Sequence, residues 1–502
     1  MGGAIDLAIT EGARRHPERV ALVGAEASGI RWRDLRRRVD RCARQLADAR
    51  VGVLGIHCDN GIDWIVSDLA AHVSGIPTVP LPKFFTAEQS RHAIDTAAID
   101  AIVSDEIETL EGAGFDRSTP LAGGEARLAL GDRRPDAPVF QKVTFTSGTT
   151  GAPKGVCLTR AHLETVAASL AESTGSLSSD VHLCCLPLSI LLENVAGVYR
   201  SLLSGGTIVA PSLREVGLGG ARDFDPTRAL SALREADATS AILVPEMLKG
   251  LVAFSGGAAD TRLRYLGVGG ARVAPALLEA AHSCDLPAYE GYGLSEFASV
   301  VALNVPGDAK LGAAGRPLPH VDLRISERGE IEIGGTHFGG YLTDRGRVAP
   351  SLTSDGFLAT GDRGEIDEDG FVRVTGRLRN VLITSYGRNV SPEWIESELL
   401  AHPLVAEAVV GGDGEPALRA VLSVRAPGDW IEEHVAAVNR RLPDYARIAE
   451  CAVTNLPFAS REGLVTAGGA PLRDEVERHF RSLPLGGAGI EEPDAWAFTS
   501  AS

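Results

Sequence analysis

The stretch Thr144-Phe-Thr-Ser-Gly-Thr-Thr-Gly-Ala-Pro-Lys-Gly155 constrains this chain more than any other. A short β-type run, Val143 to Thr146, delivers it, so the loop hangs from the end of a strand. Gly148, Gly151 and Gly155 have no Cβ, which opens φ > 0 and lets successive amide N–H groups converge on one point. Such a nest, ringed by Thr146, Ser147, Thr149 and Thr150, binds anionic oxygens, and Lys154 adds a point charge. The spacing is not that of a Walker A loop, because Pro153 stands between the last glycine and the lysine. A polar hairpin loop is the bland alternative; the order of these residues argues for a phosphate cradle.

T-S-G-T-T-G-x-P-K-G resembles the signature loop of the adenylate-forming (AMP-binding) superfamily, which holds acyl-CoA synthetases, aryl-CoA ligases, luciferases and peptide-synthetase adenylation domains. Further motifs extend the resemblance over about residues 15 to 475. Glu290-Gly-Tyr-Gly-Leu-Ser-Glu296 resembles its Y-G-x-[TS]-E motif. The resemblance implies that Tyr292 stacks on adenine, that Gly291 and Gly293 let backbone approach, and that Ser295 donates to the α-phosphate. Glu296 would be the hard oxygen ligand for phosphate-bound Mg²⁺. Leu266-Gly-Val-Gly-Gly-Ala-Arg272 is no dinucleotide fingerprint, since Arg272 replaces the third glycine. By resemblance, Gly270 and Ala271 pack on the adenine and Gly269 borders the substrate. Asp362 of Thr360-Gly-Asp and Arg377 of Thr375-Gly-Arg suit a ribose, a carboxylate accepting from its hydroxyls and a guanidinium donating to them. Arg379 occupies the hinge position, and Tyr386 to Pro392 resembles the loop that the small domain turns inward for a second half-reaction.

Leu186-Pro-Leu-Ser-Ile190 matches the segment where the superfamily commonly carries a ring that gates the acyl pocket, and here the position holds Ile190. Glu193 and Asn194 follow and would face the same pocket, an exposed helix face being the other reading of Glu193. Glu246, in Pro245-Glu-Met-Leu248, lies in a segment found beside the substrate tunnel. Pro80 to Phe85 resembles a segment of some fatty-acyl synthetases.

Strand-like Val51–Ile56, Thr78–Leu81 and Ala101–Val103 alternate with helix-like Trp64–Ser74 and Glu88–Ala97. This alternation predicts an α/β fold with doubly wound, largely parallel sheets. Alternation at Asp322–Ile325 and Glu330–Ile333 adds a β-rich subdomain. Residues 1–378 are expected to form the N-terminal ATP- and acid-binding domain and 379–480 a small mobile α+β domain. Residues 111–138 read as a surface connection and 481–502 as a disordered tail.

The formal charge of −17 excludes a general nucleic-acid binder. Seven cysteines show no C-x-x-C pair, and no apolar run is long enough for a membrane span, which points to a reduced, cytoplasmic protein without stable membrane association. Lys83, Lys142, Lys154, Lys249 and Lys310 are all the lysines. The resemblance implies two steps: an organic carboxylic acid, fatty or aryl, attacks the α-phosphorus of ATP with Mg²⁺, and a thiol, most readily that of CoA, then displaces AMP. Carrier-protein thiol, amine, or nitrite as the partner stays open, as does a degenerate nucleotide-binding protein. One residue departs from the pattern. In T-x-x-x-K-x-x-R, matched by Thr466 to Arg473, Ala470 replaces the lysine that reaches carboxylate and phosphate, and Arg473 or Arg461 is the candidate substitute.

Overall fold

The computed structural model describes residues 3–25, 29–106, 114–115, 117–131, 140–146, 153–219, 223–257, 259–335, 338–385, 388–466, 469–481 and 495–499. Two nine-stranded mixed sheets dominate the large domain. In one, Val20–Val23, Thr207–Val209, Val181–Leu183, Ser240–Leu243, Tyr265–Val268 and Ala288–Tyr292 run parallel in that spatial order. Ser240–Leu243 and Tyr265–Val268 are buried at every position, as expected of parallel strands covered on both faces. The other sheet has the order Gly346–Val348, Tyr341–Thr343, Lys154–Leu158, Lys142–Thr146, Thr78–Pro80, Leu54–His57, Ala101–Ser104, Arg127–Leu130, Arg117–Pro120. A four-stranded antiparallel sheet, Val321–Ile325, Glu330–Gly335, Leu358–Ile366 and Val372–Arg377, forms the β-rich part.

Helix Trp32–Asp48 shows how sequence sets orientation. Trp32, Leu35, Val39, Cys42 and Leu46 recur at helical spacing and are all buried, while Arg36 reaches Asp6 and Asp40 at the surface. Helix Ala87–Thr96 opens on a capping box between Thr86 and Gln89. A buried polar knot ties the sheets together. Lys142 Nζ donates to Asp68 Oδ1 at 2.7 Å and Asn194 Oδ1 at 2.6 Å, and Tyr199 donates to Asp68 Oδ2 at 2.8 Å. With both charges at most 1% exposed, the knot holds only because each polar atom is met.

The hydrophobic cores divide between Val372 and Leu382, on either side of the single 3₁₀ turn Leu378–Asn380 that carries Arg379. In the small domain Val405–Gly411, Leu418–Val424 and Ile448–Thr454 form a sheet with helices Pro392–Leu400 and Trp430–Arg441 on one face. Helix Arg473–Phe480 packs on the other, where the alternate residues Val409, Val421 and Ala452 meet Val476 and Phe480.

Two expectations are corrected. The stretch 111–138 contains the antiparallel pair Arg117–Pro120 and Arg127–Leu130, because buried Leu128 and Ala129 extend the sheet beside Ala101–Ser104. The expected tail contains a strand. Ala495–Thr499 pairs with the edge of Ile448–Thr454, which would otherwise present a row of unmet backbone groups. Its period-2 pattern was obscured by the glycines and acids before it.

Candidate active site

The strands' carboxyl ends open onto a cavity of about 960 Å³, lined by Pro82, Thr146, Ile190, Gly269, Tyr292 and Ser295 among others. A neighbouring cavity of about 560 Å³ is lined by Ala271, Glu290, Asp362, Arg377, Glu246 and Glu393. Gly270, Gly291, Tyr292 and Gly293 line both, so the two form one cleft with a shared wall.

In the smaller cavity, antiparallel register sets Asp362 opposite Arg377, and Arg377 Nε lies 2.9 Å from Asp362 Oδ1. Tyr292 donates to Asp362 Oδ2 at 2.6 Å. Burial raises the Asp362 carboxyl above its ordinary range, opposed by that phenol and by Arg377. Burial likewise raises the Tyr292 phenol, and the Asp362 charge adds to the effect, so the tyrosine remains a donor. Glu290 is pushed up to about 7 by burial, with only the Val273 N–H and the charge of Arg272 opposing.

Thr146 and Lys154 face each other at the end of the antiparallel strand pair Lys142–Thr146 and Lys154–Leu158. Ser147, Gly148, Thr149, Thr150 and Gly151 lie outside the described residues, as does Tyr386 of the small domain's loop. Tyr341 is the residue that sequence reasoning missed. Its strand pairs with Lys154–Leu158, setting Tyr341 opposite Val156. Lys154 Nζ sits 5.9 Å from the Tyr341 ring centroid, and the Tyr341 hydroxyl donates to Glu296 Oε1 at 2.7 Å. One aromatic side chain therefore links the loop lysine to the carboxylate. No motif marks it; only the strand pairing brings it there. Glu296 and Ser295 occupy the 3₁₀ turn Ser295–Phe297. Gly293 is required here, since a Cβ would fall 1.6 Å from the Ser299 carbonyl oxygen.

In the larger cavity Ile190 stands at the wall, 36% exposed. Glu193 and Asn194 do not face it and are withdrawn as pocket residues. Both are buried: Glu193 Oε1 meets His182 Nε2 at 2.8 Å, Glu193 Oε2 accepts from the amides of Cys185 and Leu186, and Asn194 joins the Lys142 knot. The cause is local. Asn194 opens the π-helical stretch Asn194–Tyr199, whose wider turn rotates its side chains away from the α-helical phase, while Glu193 is held inward by His182 and the two amides. Glu246 lines the smaller cavity instead, paired with Lys249 at 2.6 Å and with Arg425 of the small domain at 2.8 Å. Gly469, beside Ala470, reaches the wall of the larger cavity. Neither candidate arginine is directed there. Arg473 pairs with Glu396 and donates to the Val410 carbonyl at 2.7 Å, while Arg461 lies over the Phe480 ring at 5.2 Å.

The strand pair that bears Thr146 and Lys154, the Glu296 carboxylate bonded to Tyr341, and the Asp362–Arg377 pair bonded to Tyr292 are gathered about one cleft. The chain belongs to the AMP-binding enzyme family, whose description matches residues 9–347, with the AMP-binding enzyme C-terminal domain at residues 379–483. It is similar to the long-chain-fatty-acid–CoA ligase FadD15 of Mycobacterium bovis, 29% identical over 88% of this chain and 86% of that protein. It is also similar to the 2-succinylbenzoate–CoA ligase of Bacillus velezensis, 30% identical over 66% of this chain and 64% of that protein. The fold is shared with the o-succinylbenzoate-CoA synthetase MenE of Bacillus subtilis in complex with ATP and magnesium ion, at a TM-score of 0.75, 24% identity, and coverage of 94% of this chain and 99% of that one.

Proposed function

We propose that this chain is an AMP-forming ligase that activates a carboxylic acid as its acyl-adenylate and passes the acyl group to CoA. The observation that carries the reading is the continuity of the wall: Lys154, Tyr341 and Glu296 adjoin Ser295 and Tyr292, and Tyr292 bonds the Asp362–Arg377 pair. The two cavities share a wall, so an acid in the larger would meet a nucleotide in the smaller.

In the first step a carboxylate oxygen attacks the α-phosphorus of ATP; the bond to the bridging oxygen breaks, and pyrophosphate leaves. In the second, the CoA thiolate attacks the acyl carbon and AMP departs. Asp362 and Arg377 hold the ribose, Tyr292 the adenine, and Lys154 with the loop amides the phosphates. Bringing two anions together is the main obstacle, and preorganised donors offset it. Glu296 fits as a hard oxygen ligand, because Tyr341 engages only Oε1; bound Mg²⁺ would supply neutralisation of the phosphate charge. The 3₁₀ turn at Arg379 is the hinge about which the small domain turns between steps. The free, mostly buried cysteines agree with a reducing, cytoplasmic setting.

Acid-dependent exchange of labelled pyrophosphate into ATP tests the first step. Absence of exchange across fatty, aryl and keto acids would refute it. Trapping the product separates a CoA thioester from a carrier-bound thioester or an amide.

A further inference from the structure

Lys154 stands directly after Pro153, and the carbonyl between them belongs to the planar peptide unit that leads into the lysine. Whatever grips that oxygen sets where the lysine's backbone starts. His92 grips it: its Nε2 lies 2.9 Å from the Pro153 carbonyl oxygen. A carbonyl only accepts, so Nε2 carries a proton and donates. Strand pairing does not do this work. Lys154 opens its strand and Thr146 closes the one opposite, so the ladder stops there and leaves the residue before it unpaired.

The His92 ring is held on two further sides. It meets the buried Phe145 ring edge-on, 5.9 Å between centroids, on the strand that pairs with Lys154–Leu158. Its Nδ1 lies 3.4 Å from Asp344 Oδ1, and Thr96 Oγ1, on the same helix as His92, donates to that oxygen at 3.2 Å. Asp344 sits in the turn between Tyr341–Thr343 and Gly346–Val348, the hairpin that carries Tyr341. One imidazole thus joins the segment entering Lys154 to the hairpin whose tyrosine links Lys154 with Glu296.

We propose that His92 is a positioning residue for the phosphate grip: it holds the Pro153 carbonyl so that Lys154 is aimed at the triphosphate, and Asp344 keeps the ring in register with the Tyr341 hairpin. This rests on the adenylation reading above. Helix Ala87–Thr96 also serves the acid, since Gln89 and the preceding Phe85 line the larger cavity. That end is fixed separately, by the Thr86–Gln89 capping box and by buried Ala93 and Ile94. Loss of the imidazole should therefore loosen the lysine and leave the acid's walls in place. One such hydrogen bond corresponds to about 5–10-fold in the grip.

The experiment follows pyrophosphate exchange in the full chain, with inorganic tripolyphosphate and adenosine as separate competitors of ATP. His92→Phe keeps a ring against Phe145 and removes both nitrogens. It should lower kcat/KM for ATP about 5–10-fold and raise Ki for tripolyphosphate by the same factor, with Ki for adenosine and KM for the acid unchanged. His92→Gln, whose amide still donates towards the Pro153 carbonyl, should recover most of the loss. Asp344→Asn, at a side chain 68% exposed, should raise the tripolyphosphate Ki about 2–3-fold. Should His92→Phe fail to fold, Asp344→Asn decides alone. Equal weakening of tripolyphosphate and adenosine overturns the assignment, as does an unchanged tripolyphosphate Ki or a His92→Gln no better than His92→Phe. Native exchange with these results overturns the role of His92 alone; no native exchange with fatty, aryl or keto acids overturns the adenylation reading and the assignment together.

Discussion

Ala470→Lys is the most searching perturbation of this site. The turn that carries it is closed by Thr466 N–H to the Ala470 carbonyl at 2.8 Å, and neighbouring Gly469 lines the acid cavity. A lysine there would reach the cleft from the small domain. The nearest alternative cation is Arg473, and magnitudes decide whether it can serve. Burial raises the Glu396 carboxyl, and Arg473 is what counters that. Withdrawing Arg473 would strand Glu396, at about 3–5 kcal/mol. One preorganised donor at the reacting phosphate contributes about 3–4 kcal/mol. The two cancel, so Arg473 is expected to stay with Glu396, and on the proposed reading the native site is one donor short. Ala470→Lys should therefore speed adenylation by about 10²–10³-fold. Pyrophosphate exchange at saturating acid reads that step, and thioester formation from presynthesised acyl-adenylate should stay within a few-fold. An unchanged or slower exchange rate would refute the reasoning, as would equal acceleration of both steps.

Tyr341→Phe removes the donor to Glu296 while leaving the ring beside Lys154. Exchange should fall about 10-fold, with a raised Mg²⁺ requirement; an unchanged metal titration would count against the Tyr341–Glu296 link. Glu290 has a folded value of about 7 against an ordinary 4.5, so between those values the native state keeps a proton that the unfolded chain has lost. Stability should therefore fall as pH rises through that window, by about 1.4 kcal/mol per unit at most, and Glu290→Gln should flatten the slope in denaturant unfolding at pH 5 and 8. Asp68→Asn leaves the Lys142 ammonium buried without its carboxylate and should cost about 3–5 kcal/mol, read by the same unfolding midpoints.

The fold class was legible because central strands such as Ser240–Leu243 are continuous apolar runs and helix Trp32–Asp48 keeps strict periodicity. The grouping of these residues about one cleft was legible because Tyr292, Ser295 and Glu296 are local in sequence, and Asp362 and Arg377 sit in short motifs that antiparallel register then pairs. Tyr341 was not, because its place depends on which strand its own strand joins. Asn194 was misread because helical phase over Asn194–Tyr199 is π rather than α, and propensity carries no signal for that change; Glu193 was misread because its partners, His182 and the amides of Cys185 and Leu186, meet it only in the fold.

The bridge between the domains has a kinetic corollary. Glu246 accepts from Arg425, and Lys249, 4% exposed, donates to the Val405 carbonyl at 2.8 Å across the same seam. The swing proposed about Arg379 would part both contacts and wet an ammonium now kept dry. The seam would then brake the conformational clock, with dissolved electrolyte loosening its outer, half-exposed arm before the inner one.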